Sequence, residues 1–186
     1  VAFAQFMPPE RTWSDASAYH GVASNLIAGN GYSLNGTDPT RVRPPTYPVF
    51  LAAIYGVTGP HTGRAVLVQS LMGCLTCLLV YDLGRRLYAE RAGLLAAAIS
   101  AAYPALVYYD TRILRGGLCA FLFTLAVWLA LFTRARYTLG RAVLYGLLVG
   151  VLSLCRPELL LPAGAVSLLF IWPPKRLRMR AARGLL

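Results

Sequence analysis

Two stretches of this chain, residues 92–109 and 116–133, each run for 18 residues without one charged side chain. Coiled as a helix, such a run covers about 27 Å, close to the roughly 30 Å hydrocarbon thickness of a bilayer. A third run, 65–83, carries only Asp82 near its end. Apolar residues make up 57% of the chain and charged ones 13%, against about 45–50% and about 25% in soluble domains. A soluble chain of this size could not hide so much apolar surface in one core. The composition excludes a disordered chain, a disulfide scaffold and a soluble enzyme. The expected fold is all-α: a polytopic transmembrane helix bundle with a long outer loop containing short interfacial helices. Two shorter apolar runs, 142–155 and 159–172, are parted by Arg156-Pro157-Glu158. With snorkelling flanks they make a fourth and fifth span, and a re-entrant hairpin is the alternative.

The net charge of +11 comes from 18 Lys+Arg against 7 Asp+Glu. In a soluble domain that balance would suggest nucleic acid. Here the cations lie in short clusters between apolar runs, so nucleic acid is not expected as a partner. With five spans, Arg85, Arg86 and Arg91, then Arg134, Arg136 and Arg141, then Lys175 to Arg183 fall on one face. By the positive-inside rule that face is cytoplasmic. Residues 8–62 are then a long polar loop outside, sharing its face with Asp15, Asp110, Glu158 and several arginines. Charge beside hydrocarbon is costly and tends to serve function.

Within the polar loop, Ala16, Tyr19, Val22, Ala23, Leu26 and Ile27 recur at helical spacing. They predict a short amphipathic helix with Ser14 or Asp15 as N-cap, ended by Gly29-Asn30-Gly31. A second apolar piece, 47–57, follows Pro44-Pro45. Both suit the membrane interface. The opening residues Val1 to Met7 read as the last turns of a preceding membrane helix, so a fragment of a longer protein is expected. Cys74, Cys77, Cys119 and Cys155 all sit in apolar runs and read as small packing residues. His20 and His61 have no neighbouring ligand set, so no zinc site is expected. Asn35-Gly36-Thr37 fits a glycosylation acceptor, a triplet common by chance. Gly146 and Gly150 have helix-packing spacing.

Three loop motifs carry the most information: Trp13-Ser-Asp15-Ala-Ser-Ala-Tyr19, Leu26-Ile-Ala-Gly29-Asn-Gly31-Tyr32, and Arg43-Pro-Pro-Thr-Tyr47-Pro48. In order and spacing they resemble the first outer loop of GT-C-fold membrane glycosyltransferases. The most similar group is the dolichyl-phosphate-mannose protein mannosyltransferase-like set, including bacterial enzymes that add aminoarabinose or galacturonic acid to lipid A. Gln69, Tyr103-Pro104 and Arg156-Pro157-Glu158 look similar too. The resemblance covers nearly the whole chain, as the N-terminal part of a protein several times longer. These 186 residues alone are therefore expected to be inactive.

The resemblance implies transfer of a sugar from a polyprenyl-phosphate carrier to a lipid, polysaccharide or protein hydroxyl. It places the chain in a bacterial inner (plasma) membrane with the long loop outside. A hydroxyl acceptor needs one carboxylate as general base, and a departing lipid phosphate needs cations rather than an acid. By motif position Asp15 is the base. The family has a second acidic residue before a Pro further on. Here those positions read Arg115-Gly116-Gly117, and Asp110 is the candidate substitute, with pairing to Arg112 as its other role. Arg43, Arg112 and Arg115 are candidates for the carrier phosphate, and Tyr19, Tyr47, Arg156 and Glu158 for substrate binding. The resemblance assigns no certain cofactor, and a divalent cation is left open. The competing class is a membrane transporter or lipid flippase fragment, which would need ionisable residues or broken helices at mid-membrane.

Overall fold

The computed structural model describes residues 15–41, 43–132 and 139–171. The expectations for the opening residues, Trp13, the Ser14 cap, Arg134, Arg136, and Lys175 to Arg183 lie outside these. Among the described residues the fold is helical throughout, with one isolated bridge, Ser33 to Pro39, in place of any strand.

In chain order the helices are α1 (Asp15–Ile27), α2 (Thr46–Thr58), α3 (Thr62–Leu87), α4 (Glu90–Ala102), α5 (Pro104–Asp110), α6 (Arg115–Phe132), α7 (Leu139–Cys155) and α8 (Leu160–Ile171). A 3₁₀ turn over Pro157–Leu159 joins α7 to α8. The two loop helices expected from periodicity are present, and α1 packs on α2. Asp15 is the first helical residue, inside the turn it was expected to cap.

α3 is turned inside out by the standards of a soluble helix. Its buried residues are Ala65, Gln69 and Thr76, while Leu67, Leu71, Leu75 and Leu78 are exposed on its outside. In water a helix buries the leucine stripe and exposes the glutamine. By length and apolarity α3 can cross a membrane, and α4 with α5 passes the same test only as one bent span. α2, the Arg115–Leu131 part of α6 and the Ala142–Cys155 part of α7 are apolar but shorter.

The run 92–109 was expected as a single span, and here the structure differs. It is two helices bent by 59°. The cause is Pro104, which has no N–H to donate and holds the preceding residue out of helical geometry. Tyr103 accordingly sits at φ −73°, ψ 113°, and Pro104 opens the new helix. The other ends of the expected runs differ by a few residues: α3 extends to 62–87, and the described part of the last run, 159–171, is the end of a 3₁₀ turn plus α8.

α3 and α4 cross at two glycines. A Cβ on Gly93 would lie 2.6 Å from the Tyr81 carbonyl oxygen, and one on Gly84 would lie 2.6 Å from the Gly93 Cα. The obstacles are backbone, so a side chain must push the helices apart. We expect Gly93→Ala to destabilise by about 1–3 kcal/mol through overpacking, read as a fall in detergent melting temperature. Helix propensity alone would stabilise by up to about 1 kcal/mol, so an unchanged or raised melting temperature would sink the close-crossing account.

The main core gathers Tyr19 and Ala23 of α1, Tyr47, Leu51 and Tyr55 of α2, and Ala65 of α3. It also takes in Ile113, Leu118, Cys119 and Leu122 around the start of α6, Leu152 and Cys155 at the end of α7, and Ala163 of α8. It therefore lies where α3, α6 and α8 begin and α7 ends. The loop helices cap that end of the bundle. Toward the other end Asp82 accepts from Trp128 Nε1 at 2.8 Å and pairs with Arg85 at 2.6 Å and Arg86 at 2.7 Å.

Candidate functional site

The capped end is built from the loop upward. α1 ends in a Schellman motif: Gly29 N donates to Leu26 O at 3.3 Å and Asn30 N to Asn25 O at 3.0 Å. Gly29 has φ +81°, a left-handed geometry that glycine adopts without penalty. The chain then folds back over α1, and Asn25 Nδ2 donates to the carbonyls of Ser33 and Leu34. Asn35 Oδ1 accepts from the backbone N–H groups of Thr37 and Asp38, so the Asn35-Gly36-Thr37 triplet forms a tight turn. Next, the Tyr32 hydroxyl donates to the Arg43 carbonyl at 2.9 Å and to Pro44 O at 3.3 Å. Arg43 is thereby held where Pro44-Pro45 stiffens the entry to α2.

From that position the Arg43 guanidinium reaches Asp15, 28 residues earlier, at 2.5 Å. It also lies over the Tyr19 ring at 5.6 Å, a cation–π arrangement. Arg43 Nε is buried with no hydrogen-bond partner, so a donor remains unused. The Asp15 side chain is 55% exposed and that of Arg43 25%: the carboxylate faces outward and the cation sits behind it. A cavity of about 600 Å³ opens beside Arg43, lined by Tyr32, Arg41, Arg43, Pro45, Ser153 and Pro157 among others; of the ion pair, only Arg43 lines it.

Beneath the pair, Tyr19 meets Tyr47 edge-on with ring centroids 4.7 Å apart. The Tyr47 hydroxyl donates to Gln69 Oε1 at 2.8 Å. Gln69 Nε2 in turn donates to the carbonyls of Arg112 at 3.1 Å, Leu114 at 3.3 Å and Tyr109 at 3.4 Å. A continuous line of contacts thus joins Asp15 to the α5–α6 turn. Burial pushes the Tyr19 phenol up, against the opposing pull of the nearby Arg115 and Arg43.

Arg115 stands on the same side, its Nη1 donating to the Cys155 carbonyl at 3.4 Å. Arg156 lies 3.5 Å from Glu158. A backbone hydrogen bond holds the Glu158 carboxyl below its usual range, and burial opposes the fall while Arg156 and Arg115 reinforce it. Asp15, Tyr19, Arg43, Arg115, Arg156 and Glu158 therefore surround one end of the core.

Arg112 and Asp110 do not join them directly. Arg112 is exposed and stacks over the Tyr108 ring at 5.1 Å, so the alternative pairing with Asp110 is not made. The Asp110 carboxylate is wedged between α3 and α6, where only glycine fits: a Cβ on Gly73 or Gly117 would overlap it. It has no ion pair among the described residues and faces a separate cavity of about 430 Å³ with Ser70, Cys74, Cys77 and Thr111.

Two contributors were missed or left without a role by sequence reasoning. Tyr32, noted only as the end of a motif, fixes the Arg43 backbone. Gln69, noted only for its place, ties three segments together; the available signal was one amide in an apolar run. His20 Nδ1 lies 3.0 Å from the Tyr55 hydroxyl. Among the described residues no group of three or more His, Cys, Asp or Glu converges on a common point.

The family profile described as dolichyl-phosphate-mannose-protein mannosyltransferase matches residues 42–184. The chain belongs to that family. No curated protein matches the chain, and no solved structure does. The mannosyltransferase family is one of membrane-associated glycosyltransferases, so a transferase reading is favoured over a transporter or flippase. The match takes in Arg43, Tyr47, Asp110, Arg112, Arg115, Arg156 and Glu158. Asp15 and Tyr19 precede it and enter through their contacts with Arg43.

The tyrosine cluster carries a pH prediction. Burial pushes the phenols of Tyr19, Tyr32, Tyr47 and Tyr55 above the usual phenol value. A folded-state pKa above the unfolded one gives stability that is whole below the unfolded value and lost as pH rises through the folded values. We expect full stability up to about pH 10 and cooperative unfolding above it, with tyrosinate absorbance rising together with loss of helix. Reversible ionisation of these tyrosines near pH 10 with the helices intact would contradict it.

Proposed function

We propose that this chain is the N-terminal part of a polytopic GT-C-type glycosyltransferase of a bacterial plasma membrane. It moves a sugar from a polyprenyl-phosphate carrier to a lipid, polysaccharide or protein hydroxyl on the outer face. The observation that carries the reading is the half-exposed Asp15 carboxylate paired with Arg43, which itself lines an open cavity at the capped end of the bundle.

The chemistry follows from what those groups can do. The acceptor oxygen attacks the anomeric carbon as its proton passes to Asp15. The bond from that carbon to the carrier phosphate breaks, and the phosphate keeps the electron pair. Arg43, which lines the cavity, and Arg115 offer guanidinium forks to its oxygens, with Arg156 nearby. A dianionic leaving group stabilised this way needs no acid partner. One displacement inverts the anomeric configuration. Tyr19 and Tyr47 form the apolar floor that fixes Arg43, and Glu158 orients Arg156. Asp110, in its own cavity, is proposed as a second carboxylate serving substrate rather than as the first base.

The membrane placement rests on the reversed polarity of α3 and on the clustering of cations. A donor whose tail stays in the bilayer suits a site at helix ends. The test uses membranes carrying the full-length protein and a panel of radiolabelled polyprenyl-phosphate sugars. Consumption of one donor with acceptor present is the expected result. If no donor loses label although the protein is folded and abundant, the transferase reading fails.

A further inference from the structure

Cys119 and Cys155 come from different helices, 36 residues apart, and their sulfurs lie 3.0 Å from each other. That is inside the roughly 3.5–4.0 Å at which non-bonded carbons rest, and sulfur is the larger atom. Both side chains are sealed in the core, with residue exposures of 4% and 0%. A disulfide requires about 2.05 Å, so closure asks for about 1 Å of sulfur travel. Cys74 and Cys77 behave differently: both lie within α3, Cys74 is exposed, and neither faces another helix's thiol.

We infer that Cys119 and Cys155 form a structural disulfide that fastens α6 to the end of α7. The bond would join the two segments carrying site cations. Cys119 is one helical turn beyond Arg115 and on the same face of α6, and Cys155 directly precedes Arg156. Arg115 already donates to the Cys155 carbonyl. The link fixes the spacing of the two guanidinium groups across the helix junction, so they stay preorganised when the carrier leaves.

The reaction balances as thiol–disulfide exchange with a disulfide-bearing oxidant of the outer compartment, a thiol oxidoreductase or a small-molecule disulfide. One Cys thiolate attacks the oxidant's disulfide and releases one of its thiols. The second Cys thiolate then attacks the mixed disulfide, forming the Cys119–Cys155 bond and releasing the other. Two electrons pass to the oxidant, and the two cysteine protons go to its thiols. Since both sulfurs are buried once the core forms, exchange precedes final packing of α7 on α6. The oxidising compartment is the outer one, so the inference rests on the orientation proposed above.

Peptide mapping of the full-length protein tests it, with a membrane-permeant alkylating agent present from before lysis through denaturation, so that buried free thiols are captured as they become exposed and no new bond forms. The expected result is a peptide pair linked through Cys119 and Cys155 that separates on reduction, with Cys74 and Cys77 alkylated. In parallel, Asn35→Cys, at an exposed loop position, is probed with a membrane-impermeant maleimide on intact cells. If Asn35→Cys labels and both Cys119 and Cys155 are alkylated as free thiols, the disulfide is overturned and the orientation stands. If Asn35→Cys labels only after the membrane is opened, the orientation falls, and the disulfide inference with it. Neither readout needs transferase activity.

Discussion

Asp15→Asn in the full-length protein is expected to lower donor consumption by about 10²- to 10⁴-fold, the usual range for removing a general base. The side chain keeps its size and an oxygen that Arg43 can still donate to, so the loop should hold its shape. The carboxylate is 55% exposed, and exposed ion pairs contribute about 0–1 kcal/mol. A variant that has lost activity should therefore keep its melting temperature to within a few degrees. That combination separates chemistry from folding. Equal consumption by wild type and variant would leave Asp15 as a partner for Arg43 only, with the base elsewhere and Asp110 next to be tested. Lost activity together with a large fall in melting temperature would point to loop collapse.

The sequence and the structure meet unevenly at this site. The helices of the loop were legible because period-3.6 apolar spacing and the Gly29-Asn30-Gly31 stop are local signals. The long apolar runs announced α3 and α6 for the same reason. The bend at Pro104 was written in the sequence as well, but a run of 18 uncharged residues reads as one span until the missing N–H is counted. What could not be read locally is pairing across distance. Asp15 meets Arg43 only because Asn25 folds the loop back over α1 and Tyr32 clamps the Arg43 carbonyl. Asp110 and Arg112 are neighbours in sequence yet do not pair, because the start of α6 brings Gly117 to the Asp110 carboxylate while Arg112 turns out to Tyr108. The Cys119–Cys155 approach likewise follows from how α6 and α7 pack, which no spacing in the chain announces.

Gln69→Leu is expected to be the most destabilising single change in this end of the bundle. Gln69 is 1% exposed and serves as acceptor for Tyr47 and as donor toward three carbonyls of the α5–α6 turn. Leucine has a similar volume but none of these bonds, so it strands a buried hydroxyl and carbonyls that have little access to water. Each such orphan costs about 1–3 kcal/mol, and the Arg112 carbonyl keeps a second partner in the Leu114 N–H. A loss of roughly 3–5 kcal/mol follows, or a fall of about 6–20 °C at the 2–4 °C per kcal/mol typical of this chain length. Tyr47→Phe removes only one side of one bond and should cost about 1–3 kcal/mol, because Gln69 Oε1 is then the orphan. The double variant Tyr47→Phe with Gln69→Leu should cost less than the two singles added together, since the hydroxyl and the amide oxygen are removed as a pair. Strict additivity would mean that the Tyr47–Gln69 bond contributes nothing and that the α5–α6 turn is held by other contacts. If instead the coupling appears, the line from Arg43 through Tyr19 and Tyr47 to Gln69 is a mechanical one. In that case Gln69→Leu should also weaken donor binding by displacing Arg115, whose helix begins one residue after the Leu114 carbonyl that Gln69 holds.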